Sequence, residues 1–136
     1  MTGKKTVVIT GATGFVGQHL CTRLVEAGHS VVAVQRKPVR PLPGTRPVII
    51  DDITGEADWP RILGGVDCVV HLAASGHRGA HLQMRDVDRI REVNAGATQS
   101  LALSAAEAGV KRFVFLSSIA VNGSNTSGRA PFGIDD

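Results

Sequence analysis

Tyrosine is absent from this 136-residue sequence, and its aromatic residues are four phenylalanines and one tryptophan. Lysine and arginine are scattered along the chain and are not interleaved with rings that could stack on bases. The formal net charge is only +3. We therefore expect no nucleic-acid partner, although mild basicity equally suits a site for anionic phosphates.

Cysteine is scarce, and long apolar runs are missing. Cys21 and Cys68 fall in predicted apolar elements, where thiols are more often core residues than members of a disulfide. No positively charged leader precedes an apolar run, and the apolar stretches are too short to cross a bilayer. We expect a cytoplasmic protein that is neither exported nor bound to a membrane.

The patterns that are present indicate a single α/β domain over residues 1–136. Short apolar or β-branched runs predict five strands, at residues 6–10, 31–34, 48–50, 66–72 and 113–116. Helical patterns lie between them, at about 15–28, 53–63 and 84–108. This alternation predicts a Rossmann-like, doubly wound parallel sheet in the order 3-2-1-4-5, with helices on both faces. After residue 116 we expect a polar loop with Phe132 and Ile134 as apolar anchors.

Three glycines at three-residue spacing lie directly between the first predicted strand and the first predicted helix. The segment reads Gly11, Ala12, Thr13, Gly14, Phe15, Val16 and Gly17. Glycines there permit a tight turn and a close backbone approach, while free N–H groups at the helix start attract a pyrophosphate. The alternative is a plain turn whose glycines serve only packing. We interpret the segment as a dinucleotide-binding loop because of the strand before it and the helix after it.

This spacing resembles the extended short-chain dehydrogenase/reductase superfamily and, within it, the NAD-dependent epimerase/dehydratase family. Asp52 and Ile53, after the third strand, resemble the acidic position that contacts adenine in that family. Asn94 matches a motif of the family's long helix. The segment at the end of the fourth strand resembles the family's cofactor-side loop, with Leu72, Ala73 and Ala74 after His71.

The end of the fifth strand matches the motif that supplies the family's catalytic serine. Ser117 is then a cofactor-side residue, and Ser118 is the serine expected to orient a substrate hydroxyl or carbonyl. Without the resemblance, both serines would more simply satisfy backbone groups at a strand end. Asn122, where many members have tyrosine, makes the segment look like nucleotide-sugar epimerases and dehydratases of bacterial surface-polysaccharide pathways.

The resemblance implies hydride transfer at a sugar carbon, with a nucleotide sugar or another small hydroxyl or carbonyl compound as substrate. It also implies a Tyr-x-x-x-Lys motif, which a sequence without tyrosine lacks. We therefore interpret the chain as an amino-terminal part, truncated before the substrate-binding lobe and inactive as given. The alternative is a non-catalytic NAD(P)-binding sensor or regulatory module. Family members often dimerise through two helices, and residues 84–108 correspond to one of them.

Cofactor preference is read from the end of the second strand, where an acidic residue usually binds the ribose of NAD. This sequence has Gln35, Arg36 and Lys37 there. Two cations and no carboxylate favour NADP on charge, and NAD remains open. We expect no metal site, since His77 and His81 are four residues apart in a glycine-containing segment that favours a solvated loop.

Overall fold

A computed structural model describes residues 3–37, 42–54, 57–76, 84–123, 125–128 and 130–135. His77 and His81 lie outside these ranges. Within them, no group of three or more potential metal ligands comes together. None of the described helices has the length and apolar character needed to span a membrane.

Five parallel strands form one sheet in the order β3-β2-β1-β4-β5, which confirms the predicted topology. Each strand is short, and β1 and β2 are almost entirely buried because helices cover both faces. The strands are β1 Thr6–Thr10, β2 Ser30–Gln35, β3 Thr45–Ile49, β4 Cys68–His71 and β5 Arg112–Phe115.

The helices connect these strands and lie on both faces of the sheet. Their bounds are α1 Phe15–Glu26, α2 Trp59–Leu63, α3 Met84–Arg91 and α4 Ala97–Glu107. A π-helical segment, Glu92–Gly96, joins α3 to α4, so the predicted long helix is continuous but locally widened. A short 3₁₀ helix, Ile119–Asn122, follows β5.

Two apolar clusters form the core, one on each face of the sheet. Alternate strand residues point to opposite faces, so Val8 and Val69 join the cluster under α2 and α4, whereas Val7 and Ile9 join the cluster under α1. Trp59 is buried in the first cluster. Cys21 is buried in the second, and both it and Cys68 are free thiols whose pKa burial raises.

Several predicted boundaries were wrong. Strand β3 begins at Thr45 and contains Pro47, because an edge strand tolerates a residue without an N–H donor. Helix α2 is only five residues long, since residues 51–54 contain bends and no helical turn. Ile134 is fully exposed and anchors nothing, while Phe132 is half-buried and lies against Gly123.

Candidate functional site

The parallel register brings the carboxyl ends of the strands to one edge of the sheet. Thr10 at the end of β1 lies beside Val34 of β2 on one side and His71 of β4 on the other. The chain crosses from β3 back to β4 on the far side of β1. The crevice between the ends of β1 and β4 is thus the switch point of the sheet, where ligands bind in folds of this kind.

The first glycine of the loop adopts a conformation that other residues disfavour. Gly11 has a φ of 68°, and a Cβ atom on it would lie 2.8 Å from the backbone nitrogen of Ala73. The β1–α1 loop therefore packs directly against the backbone that follows β4. This contact joins the two sides of the crevice.

The third glycine lets α1 approach the loop. Gly17 is buried, and a Cβ atom on it would lie 2.3 Å from the carbonyl oxygen of Gly11 and 2.8 Å from the backbone of Ala12. Only a residue without a side chain fits there unless the helix shifts away from the loop. The loop geometry therefore depends on this glycine.

The amino end of α1 is open toward the crevice. Gly14 is its N-cap, so no side chain caps the helix, and its first turn contains no acidic residue. Free N–H groups and the positive end of the helix dipole then favour an anion. Phe15 in this first turn is 82% exposed, and Val16 is also exposed.

A cavity of about 440 Å³ lies at this edge, within the size range of small-molecule sites. It brings together ten of the residues predicted from the sequence, from the glycine loop, the end of β2, the segment after β3 and the loop after β4. They are Gly11, Thr13, Gly14, Gln35, Arg36, Asp52, Ile53, Leu72, Ala73 and Ala74. The cavity is also lined by residues that were not predicted from the sequence, among them Thr10, Ser75, Arg89 and Val93.

Asp52 holds the wall of the cavity after β3. One carboxylate oxygen accepts 2.8 Å hydrogen bonds from both the N–H and the hydroxyl of Thr54, and the other contacts the Arg89 guanidinium. The bonds from Thr54, together with Arg89, lower the pKa of Asp52. The carboxylate therefore ties the segment after β3 to α3. Arg89 also pairs with Glu92 at 2.9 Å.

Asn94 lies in the π-helical segment, and its side chain binds the loop after β4. Its Oδ1 accepts the Ser75 N–H at 2.7 Å, and its Nδ2 donates to the Ser75 carbonyl at 2.9 Å. Both ends of the side-chain amide are thus used on one residue. Asn94 does not itself line the cavity but fixes Ser75, which does.

His71 connects β1 to α4 through two hydrogen bonds, one buried and one part-buried. Its Nδ1 lies 2.6 Å from the Thr10 hydroxyl, and its Nε2 lies 2.9 Å from the Thr98 hydroxyl. In the sequence, His71 begins the segment that resembles the family's cofactor-side loop, but no role was predicted for its side chain. A polar residue inside an apolar strand is a signal that could have drawn attention to it, because buried polar groups need partners.

The two serines after β5 lie apart from the cavity lining. Ser117 and Ser118 are both exposed, and Ser118 Oγ accepts the Ala120 N–H at 3.2 Å as the cap of the 3₁₀ helix. This bond leaves the hydroxyl proton of Ser118 available for another partner. The serines share the carboxyl edge of the sheet, since the N–H of Leu116 donates to the His71 carbonyl.

A larger cavity of about 850 Å³ lies beside the edge strand β3 and α2. Its lining includes Arg46, Asp51, Asp58 and Arg61, and of the predicted site residues it contains only Asp52. The chemistry of the glycine loop is therefore concentrated in the smaller cavity.

Comparison with known proteins agrees with this geometry. The sequence model of the NAD dependent epimerase/dehydratase family matches residues 7–135. A UDP-glucose 4-epimerase of Vibrio cholerae is 36% identical over 133 residues, an alignment covering 97% of this chain and 40% of that protein. A 3-beta-hydroxysteroid dehydrogenase of Mycolicibacterium neoaurum is 36% identical over 119 residues, covering 85% of this chain and 32% of that protein.

The fold comparison adds a solved complex. The structure of MoeE5 in complex with UDP-glucose and NAD matches with a TM-score of 0.75 and 35% identity, over 90% of this chain and 39% of that one. The chain therefore spans 32–40% of the length of these relatives.

Proposed function

This chain belongs to the NAD dependent epimerase/dehydratase family, and from that premise we propose that it is the NAD-binding part of an enzyme that transfers hydride at a sugar carbon of a nucleotide sugar. The observation that carries the proposal is the uncapped amino end of α1, beside a cavity lined by the glycine loop and the loop after β4. Similarity to the UDP-glucose 4-epimerase and to the UDP-glucose complex supports the choice of substrate.

The described residues fit a dinucleotide. The loop at Gly11 and Gly14 would hold the pyrophosphate, because its glycines leave the backbone and the first N–H groups of α1 accessible. Asp52 and Ile53 would lie at the adenine. The backbone of Ala73 would form the wall opposite the loop, where it already packs against Gly11.

The bound nicotinamide would supply the hydride acceptor, and the chain would supply binding and orientation. Ser118 would orient the substrate hydroxyl, since its oxygen already accepts from Ala120 and its proton remains to be donated. Proton transfer to or from the substrate would need a further group. Because the 136 residues contain no tyrosine, we expect them to bind cofactor without turnover.

The choice between NAD and NADP depends on Arg36. It is exposed at the end of β2 and lines the cavity, as does the buried Gln35. NAD is the cofactor in the MoeE5 complex. A guanidinium at this position would add a charge-assisted bond to the 2′-phosphate of NADP and would contribute nothing comparable with NAD.

Isothermal titration of the chain with NAD and with NADP tests the proposal. We expect both to bind, and Arg36→Ala to weaken NADP about tenfold while leaving NAD within about twofold. Arg91→Ala, an exposed arginine outside the cavity lining, is the charge-matched control and should change neither. Absence of binding by either cofactor would overturn the proposed function.

Turnover is tested with the same preparation by absorbance of the reduced nicotinamide and by chromatography of the nucleotide sugar, because an epimerisation returns the hydride and leaves no net reduced cofactor. UDP-glucose and a 3β-hydroxysteroid are the two substrates to compare, because relatives of equal identity act on each class. We expect no turnover of either. Hydride transfer to NAD in this assay would mean that the chain contains a proton-transfer group other than tyrosine.

A further inference from the structure

His71 is the most completely enclosed titratable side chain among the described residues, and both of its ring nitrogens are bonded. The two partners are threonines on different elements, Thr10 at the end of β1 and Thr98 in α4. Each threonine also bonds to a backbone group, and these bonds extend the connection in both directions. The position of each proton in this series of hydrogen bonds can therefore be assigned from its donors and acceptors.

On the side of α4, the hydrogen bonds of Thr98 identify Nε2 of His71 as a donor. Thr98 Oγ1 donates its single proton to the carbonyl oxygen of Asn94 at 2.9 Å. It can then only accept toward the ring, so the proton between Thr98 and His71 belongs to Nε2.

The strand side fixes Nδ1 as an acceptor. Thr10 Oγ1 accepts the N–H of Ala73 at 3.3 Å, and its own proton points at Nδ1, 2.6 Å away. A doubly protonated ring would make Thr10 accept twice and would leave its buried hydroxyl proton unpaired. Among the described residues, every buried side-chain nitrogen and oxygen has a hydrogen-bond partner.

We propose that His71 is a positioning residue: as the neutral ring protonated at Nε2, it aligns hydrogen bonds from the Ala73 N–H to the Asn94 carbonyl and thereby holds the cavity wall at Ala73. The consequence for NAD affinity rests on the proposed function. The hydrogen bonds themselves do not depend on the proposed function, because they join the end of β1, the loop after β4 and the π-helical segment within the fold.

The surroundings of the ring favour the neutral form. Phe113 and Phe115 of β5 lie beside it, with ring centroids 6.2 and 5.8 Å away. Burial lowers the pKa of His71 below its ordinary value of 6.5, since the charged form loses its hydration. The ring is thus neutral at physiological pH.

Nitrogen NMR of the His71 ring in the unliganded chain tests the assignment. We expect Nε2 to resonate as a protonated nitrogen and Nδ1 as an unprotonated one at neutral pH. A ring protonated at Nδ1, or an equal mixture of the two tautomers, would overturn the proposal. Because no cofactor is present, this result is independent of whether NAD binds.

The coupling across the His71 ring is tested by substituting Thr98, the partner of Nε2, and measuring amide exchange at Ala73, which is bonded to Thr10 on the Nδ1 side. Thr98→Val removes the partner of Nε2, and we expect amide hydrogen exchange at Ala73 to become about tenfold faster. NAD binding should weaken by a similar factor. Thr98→Ser keeps the hydroxyl and should behave like the wild type in both measurements.

Unchanged exchange at Ala73 in Thr98→Val would contradict the positioning role. A wild-type chain that binds no NAD would instead overturn the proposed function, and the ring nitrogens and the Ala73 exchange would still decide the role of His71. If Thr98→Val does not fold, Thr98→Ala replaces it in both measurements, and the ring nitrogens of the wild-type chain still decide the tautomer.

Discussion

The carboxyl edge of the sheet has two parts that differ in how deeply their residues are buried. At β1 and β4 the strand ends are enclosed, and Thr10 and His71 are wholly buried. At β5 the apolar residues Val114, Phe115 and Leu116 remain 41%, 49% and 54% exposed. The proposed cofactor cradle, formed by the glycine loop and the loop after β4, therefore lies in the first part, whereas the part that holds the candidate catalytic serine is uncovered. Stability and cofactor binding should depend on the first part and little on the second.

Gly17→Ala is the largest expected disruption of the enclosed part. Its Cβ would lie 2.3 Å from the Gly11 carbonyl oxygen, so α1 must move away from the loop. We expect a loss of about 3 kcal/mol in the free energy of unfolding and at least a tenfold loss of NAD affinity. Urea unfolding and isothermal titration measure the two effects.

Gly96→Ala is the matched control for this substitution. Nothing lies within 4 Å of a Cβ at Gly96, and its φ of −59° is helical. The change should stabilise the chain by about 1 kcal/mol or less. If Gly17→Ala behaved like Gly96→Ala, the close approach of α1 to the loop would not limit the fold.

Two valines on neighbouring strands compare the parts directly. Val69 in β4 is fully buried in the cluster under α4, whereas Val114 in β5 is exposed. Val69→Ala should lower the free energy of unfolding by about 2 kcal/mol, because it removes two buried methyl groups and leaves a cavity. Val114→Ala should cost less than about 1 kcal/mol. Equal losses in urea unfolding would mean that β5 is covered in solution.

The elements of the enclosed part could be predicted from the sequence because they depend on local patterns. Buried parallel strands read as β-branched runs, and a glycine segment between strand and helix has few interpretations. The side-chain pairs that connect the elements of this part could not be predicted from local patterns. His71 meets Thr10 across 61 residues, and Arg89 meets Asp52 across 37. Such partners become visible only once the register of the sheet is known.

The π-helical segment was missed for a different reason. Residues 84–108 carry the apolar spacing of one long helix, and a single wide turn within it leaves that spacing nearly intact. The turn nevertheless positions Asn94 to bind both backbone groups of Ser75. The π segment thus lies beside the candidate site, and π segments often occur at functional sites.

Ser118→Ala is the smallest expected effect and tests the exposed part. It removes the acceptor for the Ala120 N–H, which caps only a short 3₁₀ helix. We expect less than about 1 kcal/mol in urea unfolding and an NAD Kd within about twofold of the wild type. Ser100→Ala, at an exposed serine of α4 outside the cavity lining, is the control. A large loss of NAD affinity in Ser118→Ala would place this serine in the cofactor cradle.

The central position of β1 also affects how the chain folds during synthesis. Strand β1 is made first and gains its neighbour β2 soon afterwards, but its other edge pairs only with β4. Thr10 can therefore pair with His71 only after a further 61 residues have been synthesised. At ribosomal rates this interval lasts roughly 3–12 s. During it, an apolar strand has one open edge that invites pairing with other chains, which makes this stage the most vulnerable to aggregation.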